Sequence, residues 1–372
     1  MRQPRAGHQY PGSTGEFQSW FATDADCLDY LEWLRWPDGF VCPHCGHAGG
    51  WAVRDGRYKC AGCGTRTSVT AGTLFDRRRT PLTVWFTACW MFASGKDGVS
   101  ALSLQRTLEI GSYATAWAML HRLRSVLVRP GRDRLTGTVE VDETHIGGEE
   151  PGLRGGRAKG KKSLVAVAVE VHQPRGYGWT RMGIIADASA ASLHPFVTAN
   201  VEPGATVITD AWQGYSGIER LGYTRDRRSQ RAARARGEDP GELLPGVHRV
   251  ASLAKRWLLG THQGSVDEAH LQSYLDEFIF RFNRRGSSPN TVQLGLLDGV
   301  VRQVVWLGPG RVVGAFDVPL GHLAFDDSGG CACASGGVEP TEEAAQEPEP
   351  AGVVGVVPVR GERRPGGRWS GG

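Results

Sequence analysis

The order of apolar and polar residues changes along the chain, and the first part is mainly helical. Residues 17–36 carry apolar side chains near every 3.6 positions, which predicts one or two short helices. Residues 81–129 predict further helices, with a turn at Gly111-Ser112 that is typical of a helix-turn-helix. An ordinary helical hairpin explains this loose pattern equally well. The glycine-rich stretch between these helical parts predicts short strands.

From Gly137 onward the pattern becomes that of an α/β layer structure. Four runs rich in β-branched residues predict strands, at 138–148, 162–171, 179–187 and 205–210. Three further segments predict helices, at 191–201, 248–259 and 267–284. The remaining parts predict a mobile basic loop at 147–162, a long arginine-rich connection at 226–246 and disorder from about Asp326 onward.

Charge and hydropathy narrow the class of protein. The chain of 372 residues carries 43 basic and 39 acidic side chains. Ten of the acidic but only 6 of the basic residues follow position 286, so the first 286 residues carry a net charge of +8 and favour a polyanionic partner. The N terminus has no apolar signal segment, and no apolar run reaches the ~18 residues of a membrane span. We therefore expect a soluble, intracellular protein.

Two Cys-x-x-Cys-Gly motifs with 14 residues between them give the strongest chemical signal. Each motif presents two thiolates to one ion, and two motifs complete a tetrahedral site without an open position. We expect a structural zinc ion on the four cysteines Cys42, Cys45, Cys60 and Cys63. His44 lies inside a motif and is expected to be exposed. Cys27 and Cys89 lie in apolar helical patterns and are expected to be buried thiols.

A second candidate site comes from strand-borne aspartates. Alternation in the strand that begins near residue 138 puts Glu140, Asp142 and Thr144 on one face. An aspartate in an apolar strand is costly to bury without a partner, and a divalent cation is one such partner. Asp210 ends another strand, although a single aspartate at a strand end is more often a turn or helix cap.

A histidine and a lysine lie seven residues apart in the predicted helix near residue 250. Seven residues make two helical turns, so the side chains of His248 and Lys255 project from one face. The stretch alone does not distinguish a working histidine from an ordinary core or surface residue.

Six stretches, in order, make residues 17–285 resemble an insertion-sequence transposase of the ISXO-like family. They are LRWPDGFVCPHCG, SYATAWAMLHRLR, VEVDETHIGG, TDAWQGY, LAKRWLLGTHQG and YLDEFIFRFNRR. The resemblance implies an N-terminal zinc ribbon and an RNase H-like core of the DDE superfamily, in which a mixed sheet is flanked by helices. It also implies a cytoplasmic protein associated with the bacterial nucleoid.

Carried over residue by residue, the resemblance implies a catalytic site for DNA strand cleavage and transfer. The two aspartates fall on Asp142 and Asp210, the third position on His248, and its basic partner on Lys255. We expect two divalent ions, Mg²⁺ or Mn²⁺, with Asp142 bridging both. The imidazole favours Mn²⁺ over Mg²⁺, and activity is expected to fall below about pH 6, where histidine is protonated. Lys255 is expected to contact a phosphate near the scissile bond.

Several residues compete with these assignments. Glu140 and Glu143 are rivals for the metal, with Glu140 the candidate for a supporting role. Glu277 lies in an amphipathic helix, and His262 lacks the lysine spacing, so both are weaker. Stacking of Trp212 and Tyr215 on a DNA base and packing of the same rings in the core are equally compatible with the sequence.

The expected partner is double-stranded DNA, namely the terminal inverted repeats and the target, bound by a homo-oligomer. Six arginines are expected to contact backbone phosphates together with Lys255: Arg225, Arg227, Arg228, Arg231, Arg234 and Arg236. The ribbon and the helical pair at 101–128 are further candidates for DNA contact. A solvated arginine-rich loop is the alternative for the arginines.

The expected segments are a helical lead, a zinc ribbon, a helical segment, a catalytic domain and an atypical tail, at 1–36, 37–76, 77–136, 137–285 and 286–372. The resemblance stops after Arg285, which suggests that a frameshift has replaced the native C terminus. Two other functions stay open. One is a zinc-ribbon DNA-binding protein or inactive, decayed transposase; the other is a structure-specific nuclease on the same core.

Overall fold

A computed structural model of the protein describes residues 11–128, 131–147, 162–172, 174, 176–264 and 266–286. The predicted loop at 147–162 and the predicted tail lie outside these residues almost entirely. The tail's expected disorder and frameshift origin, like the division into five segments, therefore stay predictions. Among the described residues, no helix is long and apolar enough to cross a membrane.

The N-terminal part contains five helices and a small antiparallel sheet. The helices are α1 (Thr14–Trp20), α2 (Asp24–Arg35), α3 (Leu82–Ser94), α4 (Ala101–Thr107) and α5 (Tyr113–Ser125). The sheet has the order β1 (Gly50–Ala52), β2 (Tyr58–Cys60) and β3 (Arg66–Thr67). Ser112 caps α5 by accepting the Thr115 N–H, which confirms the predicted turn between α4 and α5.

One hydrophobic cluster joins these helices to the ribbon. It contains Cys42 and Cys60 of the ribbon, Phe86 and Leu123 of the helices, and Phe280 from a helix near the end of the described chain. The ribbon is therefore packed against the helices, as expected for a small module that cannot bury a sufficient core by itself.

The second part is a five-stranded mixed sheet with helices on both faces, as predicted. Its elements are β4 (Thr138–Ile146), β5 (Ser163–Val171), β6 (Tyr177–Ile185), α6 (Ala190–Asn200), β7 (Thr206–Asp210), β8 (Thr224–Arg228), α7 (Gln230–Ala235), α8 (Pro245–His262) and α9 (Glu268–Asn283). The strand order is β6-β5-β4-β7-β8. Strands β4 to β6 pair antiparallel, whereas β7 and β8 are parallel to β4, which is consistent with the RNase H-like core.

Alternation along the strands divides the core between the two faces. Val139 and Val141 pack with Leu193 and Val197 of α6 on one face. Val165 and Val167 of β5 pack with α8 and α9 on the other. Because Asp142 pairs directly with Val167, the side chain of Asp142 shares the face covered by α8.

The prediction of a long arginine-rich connection at 226–246 was wrong, because part of this segment forms a strand and a helix. Residues 224–228 form the edge strand β8, and residues 230–235 form α7. Strand β8 reads Thr-Arg-Asp-Arg-Arg and has no alternating apolar residues, because it has a single neighbour, β7, and none of its side chains is fully buried. Hydrophobic periodicity therefore gave no signal, and charged residues are typical of an exposed sheet edge.

Candidate functional site

The four ribbon cysteines form a cluster that fits one zinc ion. Their Sγ atoms all lie within 4.8 Å of one another, with 3.7 Å between Cys42 and Cys63 and 3.6 Å between Cys45 and Cys60. Thiolates about 2.3 Å from a tetrahedral zinc lie about 3.8 Å apart, so the spacing matches. With four sulfur ligands and no open position, the site suits structural zinc.

Each of the two motifs forms its own backbone turn, and the two turns have the same conformation. Gly46 N–H donates to Cys42 O at 2.9 Å, and Gly64 N–H donates to Cys60 O at 3.1 Å. Both glycines have a positive φ, 73° and 72°, which explains why glycine follows each second cysteine. His44 is exposed, as predicted. Cys27 and Cys89 are buried, which confirms the prediction of two buried thiols, and burial raises the pKa of each thiol to about 12.

The main candidate site lies between β4 and α8. Asp142 Oδ2 is 3.6 Å from His248 Nε2, and Lys255 Nζ donates to Thr144 Oγ1 at 2.7 Å. Asp142 and Thr144, on one face of β4, thus contact His248 and Lys255 of α8. The sequence spacing had placed these two helix residues on one side of the helix. No sequence pattern predicted that Thr144 would accept a hydrogen bond from the lysine, because a threonine is common in strands.

The imidazole of His248 is oriented like that of a metal ligand. Nδ1 is 2.8 Å from the carbonyl oxygen of Gly241, which can only accept a hydrogen bond, so Nδ1 donates. In the neutral ring Nε2 then has a free lone pair on the side of Asp142. Two ligand atoms about 2.1 Å from one ion lie about 3.0–3.4 Å apart, close to the observed 3.6 Å. The neighbouring carboxylate of Asp142 raises the pKa of His248 by hydrogen bonding.

Asp210 lies at the end of β7, the strand adjacent to the one that carries Asp142. Strands β4 and β7 pair in parallel as far as Glu140 opposite Ile208, and Asp142 and Asp210 each lie two residues beyond that last pair. Asp210 Oδ1 accepts the Trp212 N–H at 2.8 Å, so it also shapes the turn after β7, as the ordinary interpretation of such an aspartate expected. Both aspartates are partly exposed and therefore accessible to an ion.

Tyr215 is a core residue and does not stack on DNA in this fold. It is fully buried, and its hydroxyl donates to Glu143 Oε2 at 2.9 Å on the face opposite Asp142. Burial first, and then the negative charges of Glu143, Asp142 and Asp210, raise the pKa of Tyr215 well above its ordinary value. Trp212 is partly buried, with its indole N–H on Ala188 O.

Glu140 is buried and contacts backbone. Its side chain accepts the Val247 N–H at 3.0 Å, and burial raises the pKa of its carboxyl group. The alternation of β4 did predict that it shares the face of Asp142. The contact with the start of α8 joins residues 107 positions apart, so no local pattern could have predicted it.

The two weaker rivals lie away from the site. Glu277 is fully buried between Arg124, at 2.8 Å, and Arg281, at 2.7 Å. His262 ends α8, fourteen residues and about 21 Å along the helix from His248. It packs against Trp257 and Tyr274, and burial lowers its pKa to about 4.

The six candidate arginines divide into two groups. Arg225 donates to Thr209 Oγ1 and to carbonyls of the turn after β7, Arg228 binds Asp226 and Leu243 O, and Arg236 pairs with Glu238 at 2.7 Å. The other three are exposed and have no ion-pair partner in the described part of the chain: Arg227, Arg231 and Arg234. Arg225 and Arg228 thus support the turn and the segment beside the site.

Comparisons with known proteins agree with this architecture. Residues 134–283 match the ISXO2-like transposase domain, and residues 22–66 match the transposase zinc-ribbon domain. The chain is also 26% identical over 286 residues to an uncharacterized protein in transposable element ISH50 of Halobacterium salinarum, which covers 70% of this chain and 91% of the relative. Both matched domains imply DNA binding. With a cysteine ribbon and an α/β core in the expected order, the chain contains a transposase zinc-ribbon domain followed by an ISXO2-like transposase domain.

Proposed function

We propose that the protein cuts DNA strands at the ends of its own insertion sequence and joins them to target DNA. The observation that supports this most is the 3.6 Å approach of His248 to Asp142, with Lys255 on the same face and Asp210 at the end of the adjacent strand. Divalent ions bound by Asp142, Asp210 and His248 would polarise the scissile phosphate and stabilise the attacking and leaving oxygens.

Three groups of the protein set the orientation, the metal preference and the charge of that site. The Gly241 carbonyl holds the imidazole of His248 with Nε2 directed at Asp142. One imidazole in place of a carboxylate removes one negative charge and favours Mn²⁺ or another transition metal over Mg²⁺. Lys255 is exposed, and its ammonium group, which donates to Thr144, lies beside the site as a point charge for a DNA phosphate.

DNA contacts are proposed for two further surfaces. Arg227, Arg231 and Arg234 are exposed near the segment that carries Gly241, so phosphates bound there would run toward His248. The exposed start of α5, including Tyr113, is the part of the helix-turn-helix that could enter a groove. Two element ends must be joined, so we propose that a homo-oligomer assembles on DNA.

The test is a strand-cleavage assay on a DNA fragment that carries the inverted repeats flanking the gene. We expect cleavage at the repeat by the wild type with Mn²⁺, and Asp142→Ala should bind the same DNA without cutting it. A wild type that binds but never cuts would favour a zinc-ribbon DNA-binding protein or a decayed transposase. Cleavage of branched DNA without a repeat would favour a structure-specific nuclease.

A further inference from the structure

The helix that carries His248 begins without a cap of its own. Its first turn is preceded by Leu244, whose side chain has no hydrogen-bond acceptor, and starts with Pro245, which has no N–H. The next two residues, Gly246 and Val247, are buried, and their N–H groups have no acceptor within the helix. An uncapped and buried helix start is costly, so the acceptor must come from elsewhere in the fold.

Glu140 of β4 supplies that acceptor. Its Oε2 accepts the Val247 N–H at 3.0 Å. The carboxylate is 2% exposed and lies at the positive end of the helix dipole, where a negative charge is favourable. A residue 107 positions earlier thus takes the role that a serine or aspartate normally has beside its own helix.

The fit between strand and helix is tight at this point. A Cβ added to Gly246 would lie 2.9 Å from Glu140 Oε2 and 2.8 Å from the ring of Tyr177, closer than real Cβ atoms come. The absence of a side chain at position 246 is what lets the helix start reach the carboxylate. The contact therefore fixes both the distance and the rotation of the first helical turn.

Glu140 and His248 are linked through very short segments. Asp142 is two residues beyond Glu140 on the same strand, and His248 directly follows Val247 on the helix. We infer that Glu140 is a positioning residue, which anchors the start of α8 so that His248 stays opposite Asp142. The catalytic part of this inference rests on the proposed function, whereas the structural part does not.

The experiment compares Glu140→Ala and Glu140→Gln with Asp267→Ala. Asp267 caps α9 by accepting the Ala269 N–H at 2.9 Å, so its loss removes one helix cap in the same domain, outside the candidate site. Three quantities are measured: amide hydrogen exchange in the first turns of α8 and α9 without metal, the affinity for Mn²⁺, and single-turnover strand cleavage.

We expect Glu140→Ala to speed amide exchange at the start of α8 by about tenfold or more, and to lower Mn²⁺ affinity and cleavage by about 10- to 100-fold. Glu140→Gln keeps one acceptor oxygen but loses the charge, so its effects should be intermediate. Asp267→Ala should speed exchange only at the start of α9 and keep both Mn²⁺ affinity and cleavage.

Two results would overturn the inference. Unchanged exchange in α8 with lost Mn²⁺ binding would make Glu140 a direct ligand rather than a positioning residue. Glu140→Ala behaving like Asp267→Ala in Mn²⁺ affinity would leave it with no influence on the site. If the wild type itself fails to cut DNA, the proposed function fails, while exchange and Mn²⁺ affinity still decide the role of Glu140.

Discussion

Replacing Glu277 by glutamine should strongly lower the free energy of unfolding. It should not remove a catalytic ligand, because Glu277 lies away from the candidate site. The carboxylate of Glu277 on α9 is fully buried between Arg124 of α5 and Arg281. It therefore connects the helical segment that precedes the core with the last helix of the core. Glutamine keeps the shape of the side chain but leaves two guanidinium groups without a counter-charge.

The magnitude follows from how completely the group is enclosed. The side chains of Arg124 and Glu277 are 1% and 0% exposed, and that of Arg281 is 11% exposed. Removing one partner of a buried ion pair costs about 3–5 kcal/mol, because the remaining charge stays buried. Two further nitrogens of Arg124 have no hydrogen-bond partner among the described residues, and its guanidinium lies 4.0 Å from the ring centroid of Tyr274. Few other groups compensate the charge of Arg124. We therefore expect the loss in free energy of unfolding to lie in the upper half of this range.

The assay is urea unfolding followed by circular dichroism, with the free energy of unfolding taken from the midpoint and slope. The matched control is Glu238→Gln, which breaks the exposed pair with Arg236 and should leave the midpoint unchanged. A Glu277→Gln midpoint equal to that of the wild type would refute the buried pair. Loss of cleavage by a folded Glu277→Gln protein, at unchanged DNA binding, would refute its assignment as structural.

Metal binding, DNA affinity and the ribbon give three further expectations. Because Asp142 raises the pKa of His248, protonation should compete with metal binding at pH values already above the ordinary histidine pKa of about 6.5. Cleavage at limiting Mn²⁺ should therefore fall as the pH drops from 8 to 5. A flat pH profile would contradict ligation by His248. Arg231→Ala/Arg234→Ala should lower the slope of log affinity for DNA against log salt by about 2, whereas Arg236→Ala should change it less; equal effects would contradict the division between free and paired arginines. Cys60→Ser should remove zinc, measured by elemental analysis, and lower the thermal midpoint, since this cysteine lies in the first hydrophobic cluster; full zinc content would contradict a four-cysteine site.

The residues of the candidate site could be predicted from the sequence because they lie on a regular strand and a regular helix. Alternation along β4 put Asp142 and Thr144 on one face, and the seven-residue spacing put His248 and Lys255 on one face of α8. These are the pairs that meet in the structure. Regular periods of 2 and 3.6 residues carry such information because they fix side-chain direction before any tertiary contact forms.

Contacts between distant elements could not be predicted in the same way. The Glu140 contact with Val247 and the Glu277 contact with Arg124 join residues 107 and 153 positions apart. The residues that flank each carboxylate in the sequence carry no sign of the distant partner that it contacts. Strand β8 was missed for a related reason: its order comes from pairing with β7 and from arginine contacts such as that of Arg225 with Thr209, and neither leaves an apolar pattern.

The central claim is that Asp142, Asp210 and His248 hold the same ions, and anomalous diffraction from crystals soaked in Mn²⁺ tests it most directly. We predict manganese peaks within about 2.5 Å of the Asp142 and Asp210 carboxylates, one of them at the same distance from His248 Nε2. The peaks should vanish in crystals of Asp142→Asn. Manganese bound elsewhere, or at the aspartates with the His248 ring turned away, would contradict this account of the site.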